Sequence, residues 1–90
     1  MSELQMNKDF VLRRVCGLNV VLPTGVNVKH FGGALNLNDT GALIYEQLEA
    51  GKTVEETAAA LVAAYDVTLE TALADVQETI NSLREAGVVA

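Results

Sequence analysis

The chain is poor in the residues that build large cores and reactive sites. Its 90 residues include no tryptophan, two phenylalanines, two tyrosines, one histidine, one cysteine and one proline, although half of all residues are hydrophobic. A chain of this length forms a single domain, and an aliphatic core of this size gives on the order of a few kcal/mol of net stability. Little room remains for a buried active site, and one cysteine excludes an internal disulfide.

Basic residues are also scarce. Six Lys and Arg stand against twelve Asp and Glu, which gives a formal net charge of −6. Residues 1–37 contain four of the basic and two of the acidic residues, whereas residues 38–90 contain two basic and ten acidic residues. Binding to nucleic acid requires Lys and Arg against phosphate, so an acidic second half excludes that partner and favours a peptide or protein.

Long hydrophobic runs are absent as well. No apolar run approaches the roughly 20 residues that a membrane span requires. The first ten residues lack the basic-then-apolar pattern of a signal peptide. We therefore expect a cytoplasmic protein that does not bind membranes.

The residue types that perform catalysis lack the neighbours they need. His30 stands alone in a predicted loop, without Cys or acidic residues at metal-ligand spacing, which predicts a solvated histidine. Cys16 has no CxxC partner and no basic cluster, and we predict that it is a small core residue at the end of a strand. Phosphate-binding and nucleophile-elbow motifs are absent. The sequence thus predicts a protein that is not an enzyme and has neither metal nor cofactor.

Three strands are predicted in the first half of the chain. Residues 10–16 and 18–23 are apolar runs separated by Gly17, which predicts a hairpin. Pro23 ends the second run, and residues 24–33 form a loop. Residues 34–38 alternate apolar and polar, so Leu35 and Leu37 are predicted to face the core and Asn36 the opposite side.

Three helices follow, each with a capping signal. Asn38 is a predicted N-cap and Gly51 ends the first helix. Thr53 begins a capping box for the second helix, and Thr68 can cap the third, which ends at Gly87. The apolar face of the second helix includes Tyr65, and that of the third begins with Leu69 and Leu73. Val88 and Val89 are predicted to tuck back as a tail.

One flank of the third helix has small side chains. Ala72, Asp75 and Thr79 fall on that flank at 100° per residue. The flank predicts either close packing of the helix on the sheet or a shallow binding groove, and the helical pattern alone leaves both open.

Two other classes of small domain, DNA-binding winged helices and acyl carriers, are excluded because the residues that they require are missing. A winged helix that binds DNA would present the third helix to phosphate, yet Arg84 is the single basic residue there against four acidic ones. An acyl carrier needs a serine at a helix start in an Asp-Ser-Leu setting. Here Ser82 lies near the end of the third helix and Ser2 lies in the tail.

The ordered series from Leu37 onward resembles the PqqD family. It comprises Leu-Asn-Asp-Thr at residues 37–40, Ile-Tyr at 44–45, Leu48 and Gly51, and it continues to Leu-Arg-Glu-Ala-Gly-Val at 83–88. The resemblance extends from about Phe10 to the end. Tyr45 departs from the pattern, since members of the family commonly have tryptophan there.

The resemblance implies a fold and a function. The implied fold is α+β and winged helix-turn-helix-like, with a three-stranded antiparallel sheet followed by three helices. The implied function is that of a RiPP recognition element, a chaperone-like adaptor that binds the leader of a ribosomally made precursor peptide by strand addition. It presents that peptide to a modifying enzyme, which is a radical SAM protein in pyrroloquinoline quinone (PQQ) biosynthesis.

The same resemblance points to a peptide-binding site between the third strand and the third helix. Strand addition needs an exposed sheet edge, and we expect residues 34–37 to provide it. Asp75 is expected to pair with a basic leader residue. The predicted site comprises Ala34, Leu35, Asn36, Leu37, Ala72, Asp75, Val76 and Thr79.

The sequence leaves two further points open. A protein–protein adaptor of the same fold, without a peptide substrate, would dimerise through the same edge, so both monomer and homodimer remain possible. We predict a loose lead-in at residues 1–9 and a peptide-binding domain at residues 10–90.

Overall fold

Three strands precede three helices along the chain, as predicted. The computed structural model describes Met6, residues 10–24 and residues 35–89. The elements are β1 (Phe10–Val15), β2 (Leu18–Pro23), β3 (Leu35–Leu37), α1 (Asp39–Glu49), α2 (Val54–Tyr65) and α3 (Leu69–Glu85). The predicted loop at residues 24–33, which contains His30, lies outside the described residues from position 25 onward.

A two-residue turn joins β1 to β2. Cys16 and Gly17 both have positive φ, 53° and 79°, as a hairpin turn of matching twist requires. The prediction of Cys16 as a core residue is wrong, because the side chain is exposed. β1 ends one residue earlier than predicted, and Cys16 belongs to the turn.

The sheet is antiparallel, in the order β1-β2-β3. Phe10 pairs with Pro23 at one end of the hairpin and Val15 pairs with Leu18 at the other. β2 pairs with β3 from Asn19–Leu37 to Val21–Leu35. Side chains alternate between the two faces of the sheet, and Val21 is fully buried on the face that meets the helices.

All three predicted helix caps are present. The Asn38 side chain accepts a hydrogen bond from the Gly41 N–H at 2.7 Å. Thr53 and Glu56 form the reciprocal bonds of a capping box, and the Thr53 N–H at 2.8 Å lowers the pKa of the Glu56 carboxyl. Thr68 accepts from the Thr71 N–H at 3.1 Å. These local bonds fix where each helix begins.

The core lies between the sheet and the helices. Tyr45 is its largest fully buried side chain, and Val88 and Val89 are buried as the predicted tail. Tyr65 and Leu69 were predicted on buried faces, but they are 42% and 54% exposed. Both predictions are wrong because these residues lie at the end of α2 and the start of α3, beyond the part of each helix that packs on the core.

None of the helices in the described part of the chain could cross a bilayer alone. α2 and α3 reach the required length and composition only together, across a bend of 119°.

Candidate functional site

The hairpin determines which backbone groups of β2 meet β3. Val15 and Leu18 flank a two-residue turn, so their backbone groups bond to each other across it. Bonding direction alternates along a strand, so Asn19 and Val21 direct their N–H and C=O groups away from β1. β3 satisfies these groups from the other side.

The outer edge of β3 is therefore centred on Asn36. Leu37 and Leu35 pair with Asn19 and Val21 and direct their backbone groups toward β2. Asn36 directs its own N–H and C=O to the open side. Its side chain is exposed, whereas Leu35 and Leu37 are half-buried against the core. Since no described residue pairs with these groups, a peptide strand laid beside β3 would meet one available donor and one available acceptor at Asn36.

An open cavity of about 200 Å³ lies between this edge and α3. Three elements contribute to its wall: the end of β3, the first turn of α1 and the C-terminal half of α3. Its lining residues are Asn36, Leu37, Asn38, Gly41, Glu78, Thr79 and Ser82.

Gly41 keeps the first turn of α1 close to β3. A Cβ atom at this position would lie 3.2 Å from Asn38 Oδ1 and 3.3 Å from Leu37 Cβ. Both distances are shorter than ordinary van der Waals contacts, so a larger residue would push the helix cap away from the strand. The glycine thus maintains the shape of the cavity wall.

A polar network holds the junction of β3 and α1 against β2. Asn19 is buried, and its Nδ2 donates to Asp39 Oδ1 at 2.9 Å and to the Leu37 carbonyl at 3.3 Å. Arg14 Nη1 donates to Asn19 Oδ1 at 3.3 Å. One buried amide therefore fixes the last residue of the open strand relative to the sheet.

The predicted site residues on β3 lie at the edge and the cavity. Asn36 and Leu37 line the cavity, and Leu35 lies one residue before them on the same strand. Ala34 lies outside the described residues. The predicted edge and the observed open edge therefore involve the same strand.

The predicted residues on α3 divide into two groups. Thr79 lines the cavity, and Asp75 is half-buried one turn before it. Ala72 and Val76 have no solvent exposure and belong to the hydrophobic core. Their side chains pack inward, so the small-residue flank serves the packing of α3 along its first half and faces the cavity only farther on.

Four lining residues were missed by sequence reasoning: Asn38, Gly41, Glu78 and Ser82. Asn38 and Gly41 carry a recognisable capping signal, but that signal concerns the helix and not a groove. Glu78 and Ser82 lie three and seven residues after Asp75, so they are on nearly the same side of the helix. A predicted flank that was slightly wider around the helix would have included them.

On the opposite edge of the sheet, β1, side chains donate hydrogen bonds to backbone carbonyls. Arg13 Nη1 donates to the Leu12 carbonyl at 3.2 Å. The Tyr45 hydroxyl donates to the Phe10 carbonyl at 3.5 Å. Burial, with a smaller contribution from the Glu49 carboxylate, raises the pKa of Tyr45 above its ordinary value. The phenol therefore stays protonated and remains a donor.

Within the described ranges, no three His, Cys, Asp or Glu side chains come close enough to hold a metal ion. The charged and polar groups described above belong to helix caps, to the junction network, to the cavity wall or to the β1 edge.

The fold and its open edge define a small winged-helix-like domain with a groove beside the third strand. Residues 19–89 match the family described as coenzyme PQQ synthesis protein D. The chain belongs to the PqqD family, which confirms the resemblance noted from its sequence.

Two solved structures have a similar fold over nearly the whole chain. One is a lasso peptide synthetase B1 complexed with its leader peptide, with a TM-score of 0.81, 26% identity and 99% of each chain covered. The other is TbiB1 in complex with the TbiA(beta) leader peptide, with a TM-score of 0.76 and 24% identity, covering 94% of this chain and 93% of that one. No curated protein matches the sequence significantly.

Proposed function

We propose that this protein binds the leader of a ribosomally made precursor peptide as an added strand on β3. The observation that carries the proposal is the open edge at Asn36 beside the groove under α3. An unpaired edge supplies backbone bonds to an extended peptide, and the adjoining groove supplies selectivity. The similar lasso peptide synthetase B1, a complex with a leader peptide, supports the same use of the fold.

The chemistry then belongs to a partner enzyme, to which this protein presents the bound peptide. The shifted pKa values of the two described groups have structural causes. Glu56 lies in a capping box and Tyr45 lies in the core. A radical SAM protein is the expected partner if the pathway is that of PQQ. Precursor peptides are made on ribosomes, so we propose that the protein works in the cytoplasm.

Four of the residues predicted from the sequence have a role in this proposal. Asn36 supplies the backbone bonds, while Leu37 and Thr79 contact the side chains of the added strand. Asp75 lies one turn from Thr79 and would attract a basic leader residue over a longer distance.

An amide NMR titration tests this proposal. The ligand is a synthetic leader from the precursor peptide encoded nearest to the gene of this chain. We expect shifts at Asn36 and Leu37 and along the side of α3 that includes Thr79, with little change in α2. Shifts elsewhere, or none at millimolar peptide, would contradict the proposed site.

The competing hypothesis is a homodimer that pairs β3 with β3 of a second copy. Saturating leader should dissociate such a dimer, because the two strands would compete for Asn36. Sedimentation velocity with and without leader distinguishes the two. A dimer that persists with bound leader would place the dimer interface elsewhere.

A further inference from the structure

Among the described residues, the wall of the cavity beside β3 has one charged side chain, and its charge is negative. Asn36 borders the cavity with its backbone, because its side chain lies on the opposite face of the sheet. Asn38, Thr79 and Ser82 offer amide and hydroxyl groups, Leu37 offers an apolar surface, and Glu78 contributes the carboxylate. Glu78 is exposed and makes no hydrogen bond or ion pair with any described residue, so its carboxylate is available to a ligand.

The charges near the cavity have the same sign. Asp75 lies three residues before Glu78 on α3, and Glu85 lies seven residues after it, so all three lie along one side of the helix. Arg84 points to a different side at 100° per residue. A cation entering the cavity would meet attraction from several carboxylates and no nearby helical cation.

Strand alternation determines which side chain of an added peptide enters the cavity. Asn36 has its side chain on the exposed face, and Leu37 has its side chain on the face toward the helices. Directly opposed residues in neighbouring strands place their side chains on the same face. The peptide residue opposite Leu37 therefore points toward α3.

We propose that the cavity is a subsite for a lysine or arginine of the bound peptide, at the position opposite Leu37, with Glu78 as its charge partner. The methylene stem would lie over Leu37 while the cationic head reaches the Glu78 carboxylate and the Ser82 hydroxyl. This inference rests on the proposed function, since it names the chemistry of the peptide that the groove selects.

Selection from a phage-displayed library of random linear peptides tests the subsite without knowledge of the natural precursor. We expect the wild-type protein to enrich peptides with a basic residue at one strand position. Glu78→Gln should lose this preference, and Glu78→Lys should select Asp or Glu at the same position. Glu70→Gln is the matched control, because it removes one exposed charge about 12 Å along the axis of α3.

A selected peptide then gives a quantitative test. Replacing its basic residue with glutamine should weaken binding to the wild type by about threefold to tenfold. The same replacement should have no effect on binding to Glu78→Gln. Added salt should reduce the difference in affinity between the two peptides for the wild type, because a partly exposed ion pair is screened.

The failures of the two proposals are distinguishable. If selected peptides shift the Asn36 amide but show no basic preference, or if Glu78→Gln keeps the preference, the subsite is wrong and strand addition stands. If selection yields no peptide that shifts the Asn36 amide, both proposals fail.

Discussion

The two edges of the sheet differ in length and in what covers them. β1 has six residues, and register directs the backbone groups of Phe10, Leu12 and Arg14 outward. The carbonyls of Phe10 and Leu12 accept bonds from Tyr45 and Arg13. β3 has three residues, and no described side chain bonds to the backbone of Asn36.

If a peptide adds to this sheet as a strand, the difference between the two edges favours β3. The longer edge would offer more backbone bonds, but two of its three outward carbonyls already accept hydrogen bonds from side chains. An exposed edge is a general aggregation hazard, and charged side chains are a common protection against it. Here the protection covers one edge and leaves the other available beside a groove.

Replacing Tyr45 should disrupt the closed edge most strongly. Tyr45→Ala removes a buried aromatic ring from the core as well as the bond to Phe10. We expect the free energy of unfolding to fall by about 3–5 kcal/mol. Urea denaturation measures this, and a loss below about 1 kcal/mol would mean that the ring is not a central part of the core.

Removing the outward N–H of β3 should abolish most peptide binding without unfolding the sheet. Asn36→Pro removes the backbone N–H of residue 36, which does not bond to β2. Edge strands tolerate proline at such positions. Affinity for the leader should fall by about tenfold to a hundredfold, because a bond is lost and an acceptor on the peptide stays unpaired.

The matched control for that variant lies on the other edge. Arg14→Pro removes an equivalent outward N–H from β1, and Arg14→Ala separates this loss from that of the guanidinium bond to Asn19. Isothermal titration should show weak binding for Asn36→Pro and equal binding for Arg14→Pro and Arg14→Ala. A loss of binding in Arg14→Pro beyond that in Arg14→Ala would place the peptide on β1.

A smaller change at Tyr45 tests its hydroxyl alone. Tyr45→Phe should cost about 1 kcal/mol or less, since the bond to the Phe10 carbonyl is long at 3.5 Å. The raised pKa of Tyr45 means that the stability contributed by the neutral phenol is complete below its ordinary pKa of 10.0 and is lost as pH rises through the raised value.

The pH dependence gives this variant a distinct signature. Urea denaturation at about pH 8 and about pH 11 should show a larger alkaline loss of stability for the wild type than for Tyr45→Phe. An equal loss in both proteins would assign the alkaline sensitivity to other groups.

The smallest expected effect concerns Arg13. Arg13→Thr uncovers the Leu12 carbonyl at a cost of a few tenths of a kcal/mol in stability, because the bond is exposed. Self-association should rise a few-fold relative to wild type at equal concentration, as measured by sedimentation equilibrium. Arg84→Thr is the control, since it removes the same charge from an exposed position on α3.

Local signals predicted most of the fold. The caps at Asn38, Thr53 and Thr68 were visible in the sequence because capping depends on residues within one turn. Cys16 was misplaced because positive φ is uncommon outside glycine, asparagine and aspartate, so a Cys-Gly pair is a weak turn signal. The burial of Tyr65 was predicted wrongly because apolar periodicity does not show where the surface that packs against a helix ends.

The candidate site was less predictable, for a tertiary reason. Sequence spacing identified a side of α3 that borders the cavity, through Thr79, but not the turn at which the helix passes β3. Ala72 and Val76 lie where α3 packs in the core, whereas Glu78 and Ser82 lie farther along, where the helix borders the open strand. That crossing point depends on how α1, α2 and the sheet pack together.

The shortness of β3 has a consequence for timing. In the described part of the chain β3 has one outward residue, so an added strand would make few backbone bonds to it. Differences in affinity among related complexes arise mostly from dissociation rates. We therefore expect a peptide added to this edge to have a short residence time, which would suit a protein that passes its peptide on.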